Sequence, residues 1–272
     1  MPELPEVEVI CRGLKPHIEN RTITAIFCGK KELRLQIPRQ KLAEKVTGAR
    51  VVKIHRRAKY LLFDLDNKCQ LVIHLGMTGR LGIFRENAPE TLHDHLSFSL
   101  DDGMEMRFND TRRFGYVLVQ DGTESYDPFA KLGPEPFWDE FTGAYLFAKA
   151  GKRVQPVKNF LMDSHVVVGI GNIYANEILF YCGLLPTTPI GSISGKTYAE
   201  VVATSRRVLA KAIKSGGTTI SDYVNASGQS GYFQLELAVY GKNGDPCGVC
   251  GTEIEKNVIG GRATFFCPQC QQ

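Results

Sequence analysis

Two cysteine knuckles near the end of the chain constrain its fold more than any other feature: Cys247-Gly248-Val249-Cys250 and Cys267-Pro268-Gln269-Cys270. Their spacing, C-x2-C-x16-C-x2-C, suits a tetrahedral zinc site with four thiolate ligands. Each knuckle places two thiolates on one tight turn, and the insert between them is long enough for a hairpin that returns the second knuckle to the same ion. Four thiolates close the coordination shell, so this one zinc ion is structural and not catalytic. A disulfide framework is the alternative. The opening Met1-Pro2-Glu3-Leu4-Pro5-Glu6-Val7-Glu8 is acidic and unlike a secretory signal, so a soluble cytoplasmic protein is expected, where reduction disfavours disulfides. Cys11, Cys28, Cys69 and Cys182 are scattered and read as small hydrophobes.

The whole chain of 272 residues leaves room for two domains. Leu4, Val7, Cys11, Leu14 and Ile18 share a helical spacing, with Pro5 tolerable in the first turn. From Thr22 onward the pattern predicts strands over Ile23–Phe27, Arg34–Ile37, Val51–His55, Tyr60–Leu65, Leu71–Leu75, Leu96–Leu100, Met104–Phe108 and Tyr116–Val119, with a hairpin turn at Asp102-Gly103. Gly133-Pro134-Glu135-Pro136 reads as a linker. Beyond it the period is helical, with a capping box at Thr197 and Glu200 opening a helix that Gly216-Gly217 ends. The expected class is α+β: an N-terminal antiparallel β-sandwich with an N-terminal helix over residues 1–132, a linker over 133–149, a helical domain over 150–238 and a zinc β-hairpin over 239–272.

Charge is uneven. Residues 1–146 carry 21 basic and 21 acidic side chains, 147–215 carry 9 and 3, and 216–272 carry 3 and 5. A basic middle suits an anionic polymer, although on charge alone a solvated helix face is the simpler reading. If Met1 is removed, Pro2 presents a secondary amine, partly neutral and nucleophilic near pH 7, with Glu3 and Glu6 beside it. The bland reading is a proline-initiated helix with acids at its positive end. Lys53–Lys59 is a basic cluster at the entry to an apolar strand. Met77 stands between glycines, and Arg112 and Arg113 precede Phe114. An apolar wedge beside arginines is what prying open a base stack requires. Val166–Glu177 runs through two glycines into a helix start at Asn172, where backbone N–H groups can meet a phosphate, but it lacks the third glycine of a dinucleotide fingerprint.

Taken in order, Met1–Glu8, Arg56–Leu61, His74–Gly79, His93–His95, Asp110–Gly115, Leu132–Pro136, Gly169–Glu177 and Arg262–Gln271 resemble the formamidopyrimidine-DNA glycosylase / endonuclease VIII family over nearly the whole chain. The resemblance implies a helix–two-turns–helix DNA-binding domain in the middle and a bifunctional glycosylase/lyase acting, as a monomer in the bacterial cytoplasm and nucleoid, on double-stranded DNA that contains an oxidised base. By position it implies Pro2 as nucleophile at C1′, Glu3 as general acid, Lys59 in proton transfer and phosphate contact, and Arg262 on the zinc hairpin as the grip on the lesion phosphate. Asn172 and His93 match DNA-backbone contacts. Met77 and Phe114 resemble the residues that fill the vacated stack while Arg112 faces the orphaned base. That set favours 8-oxoguanine and formamidopyrimidines over the oxidised pyrimidines of endonuclease VIII. Ser227–Gln234 occupies the place of a loop that covers the flipped base. Two positions depart from the pattern. Thr111 replaces a common proline, and Val154 stands where a phosphate-binding lysine aligns, leaving Lys152 or Arg153 for that contact.

Overall fold

The structure, a computed structural model, describes residues 2–123, 127–216, 223–224 and 237–272. Met1 and Ser227–Gln234, expected to form the covering loop, lie outside the described residues. The chain divides into two compact units, Met1–Asp127 with Ser215–Gln234, and Pro128–Lys214 with Leu235–Gln272. No helix among the described residues is long and apolar enough to cross a membrane.

The first unit opens with helix α1 (Leu4–Ile18), whose Leu4, Val7, Ile10, Leu14 and Ile18 are buried as the spacing requires. Strands β1 (Ile23–Cys28), β2 (Val51–Arg57), β3 (Tyr60–Leu65), β4 (Gln70–His74), β5 (Gly79–Arg85), β6 (Asp94–Leu100), β7 (Met104–Asp110), β8 (Tyr116–Gln120) and the two-residue β9 (Tyr223–Val224) form two sheets, ordered β1-β6-β7-β5-β9 and β2-β3-β4-β8. Every pairing is antiparallel except β5 with β9. Apolar side chains from both sheets and α1, among them Phe63, Phe98 and Phe108, make one core. The turn at Asp102-Gly103 forms, with the Asp102 carboxylate accepting from the Met104 N–H at 3.1 Å.

Two strand expectations change. Arg34–Ile37 is not a strand: the Ile37 N–H donates to the Glu32 carboxylate at 2.7 Å and the Arg34 N–H to the Gly115 carbonyl at 3.0 Å, so no ladder partner is engaged. Conversely β5 pairs with β7 along its whole length, although Gly79 and Gly82 interrupt its apolar pattern. Gly79 is there because a Cβ would sit 2.2 Å from the Leu75 carbonyl oxygen.

The second unit contains helices α2 (Gly143–Ala150), α3 (Val157–Met162), α4 (Asn172–Tyr181) and α5 (Gly195–Lys214), followed by the hairpin of β10 (Glu255–Ile259) and β11 (Arg262–Phe266). α2 begins inside the segment 133–149 read as linker and ends one residue past it, and its Leu146 and Ala150 join Phe160, Tyr174, Tyr198 and Leu209 in a second core. α5 starts earlier than the capping-box reading placed it. Ser194 is the cap, its Oγ accepting from the Thr197 N–H at 3.1 Å, while Glu200 instead accepts from the Thr204 hydroxyl at 3.3 Å. A third, smaller apolar cluster of Phe180, Val239, Ile254 and Phe265 backs the zinc knuckles.

Candidate active site

Pro2 and Glu3 lie immediately before α1, both buried, Glu3 at 2% exposure. Glu6 accepts from the Glu3 backbone N–H at 2.9 Å, which fixes the entry of the chain into the helix. The bond is reciprocated: the Glu3 carboxylate accepts from the Glu6 backbone N–H, so both acids named from the sequence serve the helix start next to Pro2. Lys59 sits in the tight turn joining β2 to β3, after Ala58 at φ +54°. The Arg56 guanidinium donates to the Ala58 carbonyl at 2.9 Å and to the Glu8 carboxylate of α1 at 2.9 Å. Arg56 thus ties the lysine turn to the helix that carries Pro2 and Glu3. The arginine beside it, with that of Arg12, holds the Glu8 carboxyl below its usual range despite burial, which pulls the other way.

Met77 and Phe114 are presented on two turns locked to each other. Met77 is 39% and Phe114 41% exposed, large fractions for such apolar side chains, and the Arg112 guanidinium lies 4.6 Å over the Phe114 ring. Asp110, fully buried at the end of β7, joins the turns. Its Oδ1 accepts from the Thr78 hydroxyl at 2.5 Å and from the Arg112 N–H at 3.2 Å, and its Oδ2 accepts from the Gly115 N–H at 2.8 Å. The backbones also abut: a Cβ on Gly76, at φ +64°, would stand 2.3 Å from the Gly115 nitrogen. His74 completes the support, its Nδ1 accepting from the Gly76 N–H at 3.1 Å while its ring stacks 5.0 Å from Tyr116. Burial, with Lys59 and Arg34 adding to it, pushes His74 down to about 4, so it is neutral near pH 7. His93 is half-buried beside His95, ring centroids 6.5 Å apart, and its carbonyl accepts from the Asp110 N–H at 3.0 Å.

In the second unit Asn172 begins α4, and its Nδ2 donates to the Ala263 carbonyl of β11 at 2.9 Å. Lys158, wholly buried, donates to the same carbonyl at 2.9 Å and to the Thr264 hydroxyl at 2.6 Å. Asn176 accepts from the Phe265 N–H at 2.8 Å. Three polar side chains therefore hold the strand that begins with the exposed Arg262. Glu177 secures the approach to that strand, its two oxygens accepting from the N–H groups of Ala238, Val239 and Tyr240 at 2.7, 2.9 and 2.9 Å. Arg153 donates to the carbonyls of Ala150 and Lys149, capping the C-terminal end of α2, while Val154 and Lys152 are exposed.

The four knuckle cysteines converge, with all Sγ atoms within 4.8 Å of one another. Cys247 and Cys270 are 3.9 Å apart and Cys250 and Cys267 3.5 Å, against an edge of about 3.8 Å for a tetrahedron of Zn–S bonds. Hydrogen bonds from Thr252 draw Cys250 down to about 6, whereas Cys270 is pushed up to about 12, foremost by Cys250. Four thiolates at such range repel one another unless a dication sits among them, so the donor set fits one zinc ion.

Asp110, Lys158, Asn176 and Glu177 were not singled out from the sequence. Asp110 opens the segment Asp110–Gly115 and Asn176 and Glu177 close Gly169–Glu177, whereas the signal of Lys158 is a lysine inside the largely apolar Val157–Met162.

A β-sandwich with a buried proline at its helix start, joined to a helical unit with a zinc hairpin, is the architecture of a known class of DNA-repair proteins. Family models match all three parts: the formamidopyrimidine-DNA glycosylase N-terminal domain over residues 1–117, the formamidopyrimidine-DNA glycosylase H2TH domain over 132–224, and the zinc finger found in FPG and IleRS over 244–272. The chain is 46% identical to the formamidopyrimidine-DNA glycosylase of Alteromonas mediterranea over 272 residues, the full length of both. Among solved structures it is similar to a Lactococcus lactis FPG variant in complex with a Fapy-dG containing DNA, with TM-score 0.89, 34% identity and 100% of each chain covered. It is similar also to MutM in complex with carbocyclic 8-oxo-G containing DNA, with TM-score 0.89, 33% identity and 100% of each chain covered. The chain belongs to the formamidopyrimidine-DNA glycosylase family.

Proposed function

We propose that this chain is a bifunctional DNA glycosylase and abasic-site lyase of base excision repair. It acts as a cytoplasmic, nucleoid-associated monomer on double-stranded DNA and excises oxidised purines, 8-oxoguanine and formamidopyrimidines. The observation that carries this reading is the pairing of Pro2-Glu3 at the start of α1 with a lysine turn clamped to that same helix through Arg56 and Glu8.

With Met1 removed, the neutral Pro2 nitrogen attacks C1′ of the extruded nucleotide as the glycosidic bond breaks, and the base leaves with a proton. Glu3 supplies the proton that opens the sugar ring at O4′. The resulting iminium is a secondary-amine adduct with no N–H to lose, so it stays cationic and acidifies C2′. Loss of the C2′ proton expels the 3′ phosphate, and loss of the C4′ proton then expels the 5′ phosphate, leaving a one-nucleotide gap with phosphate ends. Lys59 moves protons and contacts phosphate during these eliminations. Arg262 grips the lesion phosphate, and Asn172 contributes by holding β11, the strand that begins with Arg262. Met77 and Phe114 fill the vacated stack, Arg112 faces the orphaned cytosine, and His93 and the exposed basic chain beside Val154 contact the backbone. The zinc ion keeps the Arg262 hairpin folded and takes no part in the chemistry.

Three duplexes test this: 8-oxoguanine opposite cytosine, thymine glycol opposite adenine, and an undamaged control. The reading requires strand scission of the first well above the second. Preference for thymine glycol would move the chain to the oxidised-pyrimidine specificity, and salt-sensitive binding without scission would make it a non-catalytic DNA-binding protein.

A further inference from the structure

Three cations of the basic stretch noticed in the sequence are taken up inside the second unit. Arg206 donates to the carbonyls of Pro136, Trp138 and Phe141, Arg153 caps α2, and Lys158 is buried under the hairpin. Lys211, in the last turn of α5, is different. Together with Lys242 it lines a cavity of about 270 Å³ whose apolar wall is made by Phe180, Leu237, Ala238 and Val249. Among the described residues neither ammonium has a hydrogen bond or an ion pair. The Glu177 carboxylate under this wall is already taken by three backbone N–H groups, so it offers the lysines nothing. Val249, on the tip of the first zinc knuckle, is 75% exposed, an apolar side chain held out on a metal-fixed turn. The Arg207 guanidinium lies 5.9 Å over the ring of the neighbouring Tyr181, adding a third cation near the cavity.

We infer that this cavity, between the end of α5 and the first zinc knuckle, is a docking site for a short acidic peptide of a protein partner, with one bulky apolar side chain in the cavity and carboxylates on Lys211 and Lys242. The two halves of the ligand follow from the two halves of the wall. Unpartnered ammonium groups call for anions, and they gain most beside a low-dielectric surface where attraction is poorly screened. Duplex DNA supplies the anions but no side chain for an apolar pocket. The site is independent of the catalytic reading above, because none of its residues belongs to that machinery.

The test uses the full zinc-loaded chain and a fluorescent peptide Gly-Asp-Glu-Asp-Leu-Phe, with Gly-Asn-Gln-Asn-Leu-Phe as the uncharged control, followed by anisotropy. Saturable binding is expected for the acidic peptide. It should weaken about tenfold or more in the Lys211→Glu/Lys242→Glu double variant and in Val249→Ser, and persist when the protein is saturated with an abasic-site duplex. Unchanged zinc content and melting temperature establish that the variants fold. Equal binding of the control peptide, binding indifferent to both variants, or no saturable binding overturns the proposal. Displacement by the duplex overturns it too, assigning the lysines to the DNA surface.

Discussion

Replacing Glu177 by glutamine isolates one device that the structure shows to be under heavy demand. The two carboxylate oxygens receive three N–H groups, from Ala238 at 2.7 Å and from Val239 and Tyr240 at 2.9 Å, at a residue only 3% exposed. A glutamine carbonyl can keep the Val239 and Tyr240 bonds, but its amide group then confronts the Ala238 N–H, donor against donor. The change removes the charge assistance of two bonds, about 0.5–1 kcal/mol each, and leaves one buried donor unmet at about 1–3 kcal/mol, for a total of about 2–5 kcal/mol. For a chain of this size that corresponds to a drop in melting temperature of about 4–20 °C. Calorimetry on the zinc-loaded protein reads it, with zinc release on heating marking the transition of the second unit. Glu177→Asp should fare no better, since its shorter chain cannot reach all three donors. A melting temperature within about 2 °C of the parent would refute the reasoning, because the three contacts would then contribute no more than water does in the unfolded chain.

Other outcomes follow from the same geometry. Asp110→Asn places an amide group against the Gly115 N–H or the Thr78 hydroxyl, so the wedge turns should loosen. Excision of 8-oxoguanine should fall about tenfold and discrimination of the opposite base should weaken, while cleavage of a preformed abasic site persists; parallel rates on the two duplexes check this. His74 has its folded-state value pushed down to about 4 by burial, so the unfolded chain takes up the proton first. Its contribution is complete above about pH 6.5 and lost as pH falls toward 4, by at most about 3 kcal/mol, a fall that His74→Asn should flatten in urea melts between pH 7.5 and 4.5. Stripping zinc with a chelator should abolish strand scission and unfold the β10–β11 hairpin, with recovery on adding the metal back, read by gel and by circular dichroism.

Patterns with a strict period were legible. The α1 spacing, the antiparallel strands of the sandwich, the turn at Asp102-Gly103 and the zinc knuckles all announce themselves through local rules. What the residues concealed depends on partners distant in the chain. β5 opens on Gly79 where its backbone passes close to Leu75, so its alternation is broken by the very contact that defines it. Arg34–Ile37 has strand-like residues, yet the Glu32 carboxylate and the Gly115 carbonyl claim its donors. Ser194 caps α5 where Thr197 with Glu200 also satisfied the motif, since both sites offer a hydroxyl and only the fold chooses between them. The site shows the same division. Residues that meet solvent, such as Met77, Phe114 and Arg262, sit in recognisable motifs, whereas Asp110, Asn176 and Glu177 support them through contacts to Thr78, Phe265 and Ala238 that lie 32 to 89 positions away and that no local pattern encodes.

The proposed chemistry rests on the amine of Pro2, and covalent capture interrogates it directly. The chain freed of Met1 is incubated with an 8-oxoguanine duplex in borohydride, digested with protease, and the cross-linked peptide is sequenced by mass spectrometry. The account predicts a single reduced deoxyribose adduct on the Pro2 nitrogen, absent after N-acetylation. Base release without any such adduct, or an adduct on Lys59 that survives acetylation of the N-terminus, contradicts it.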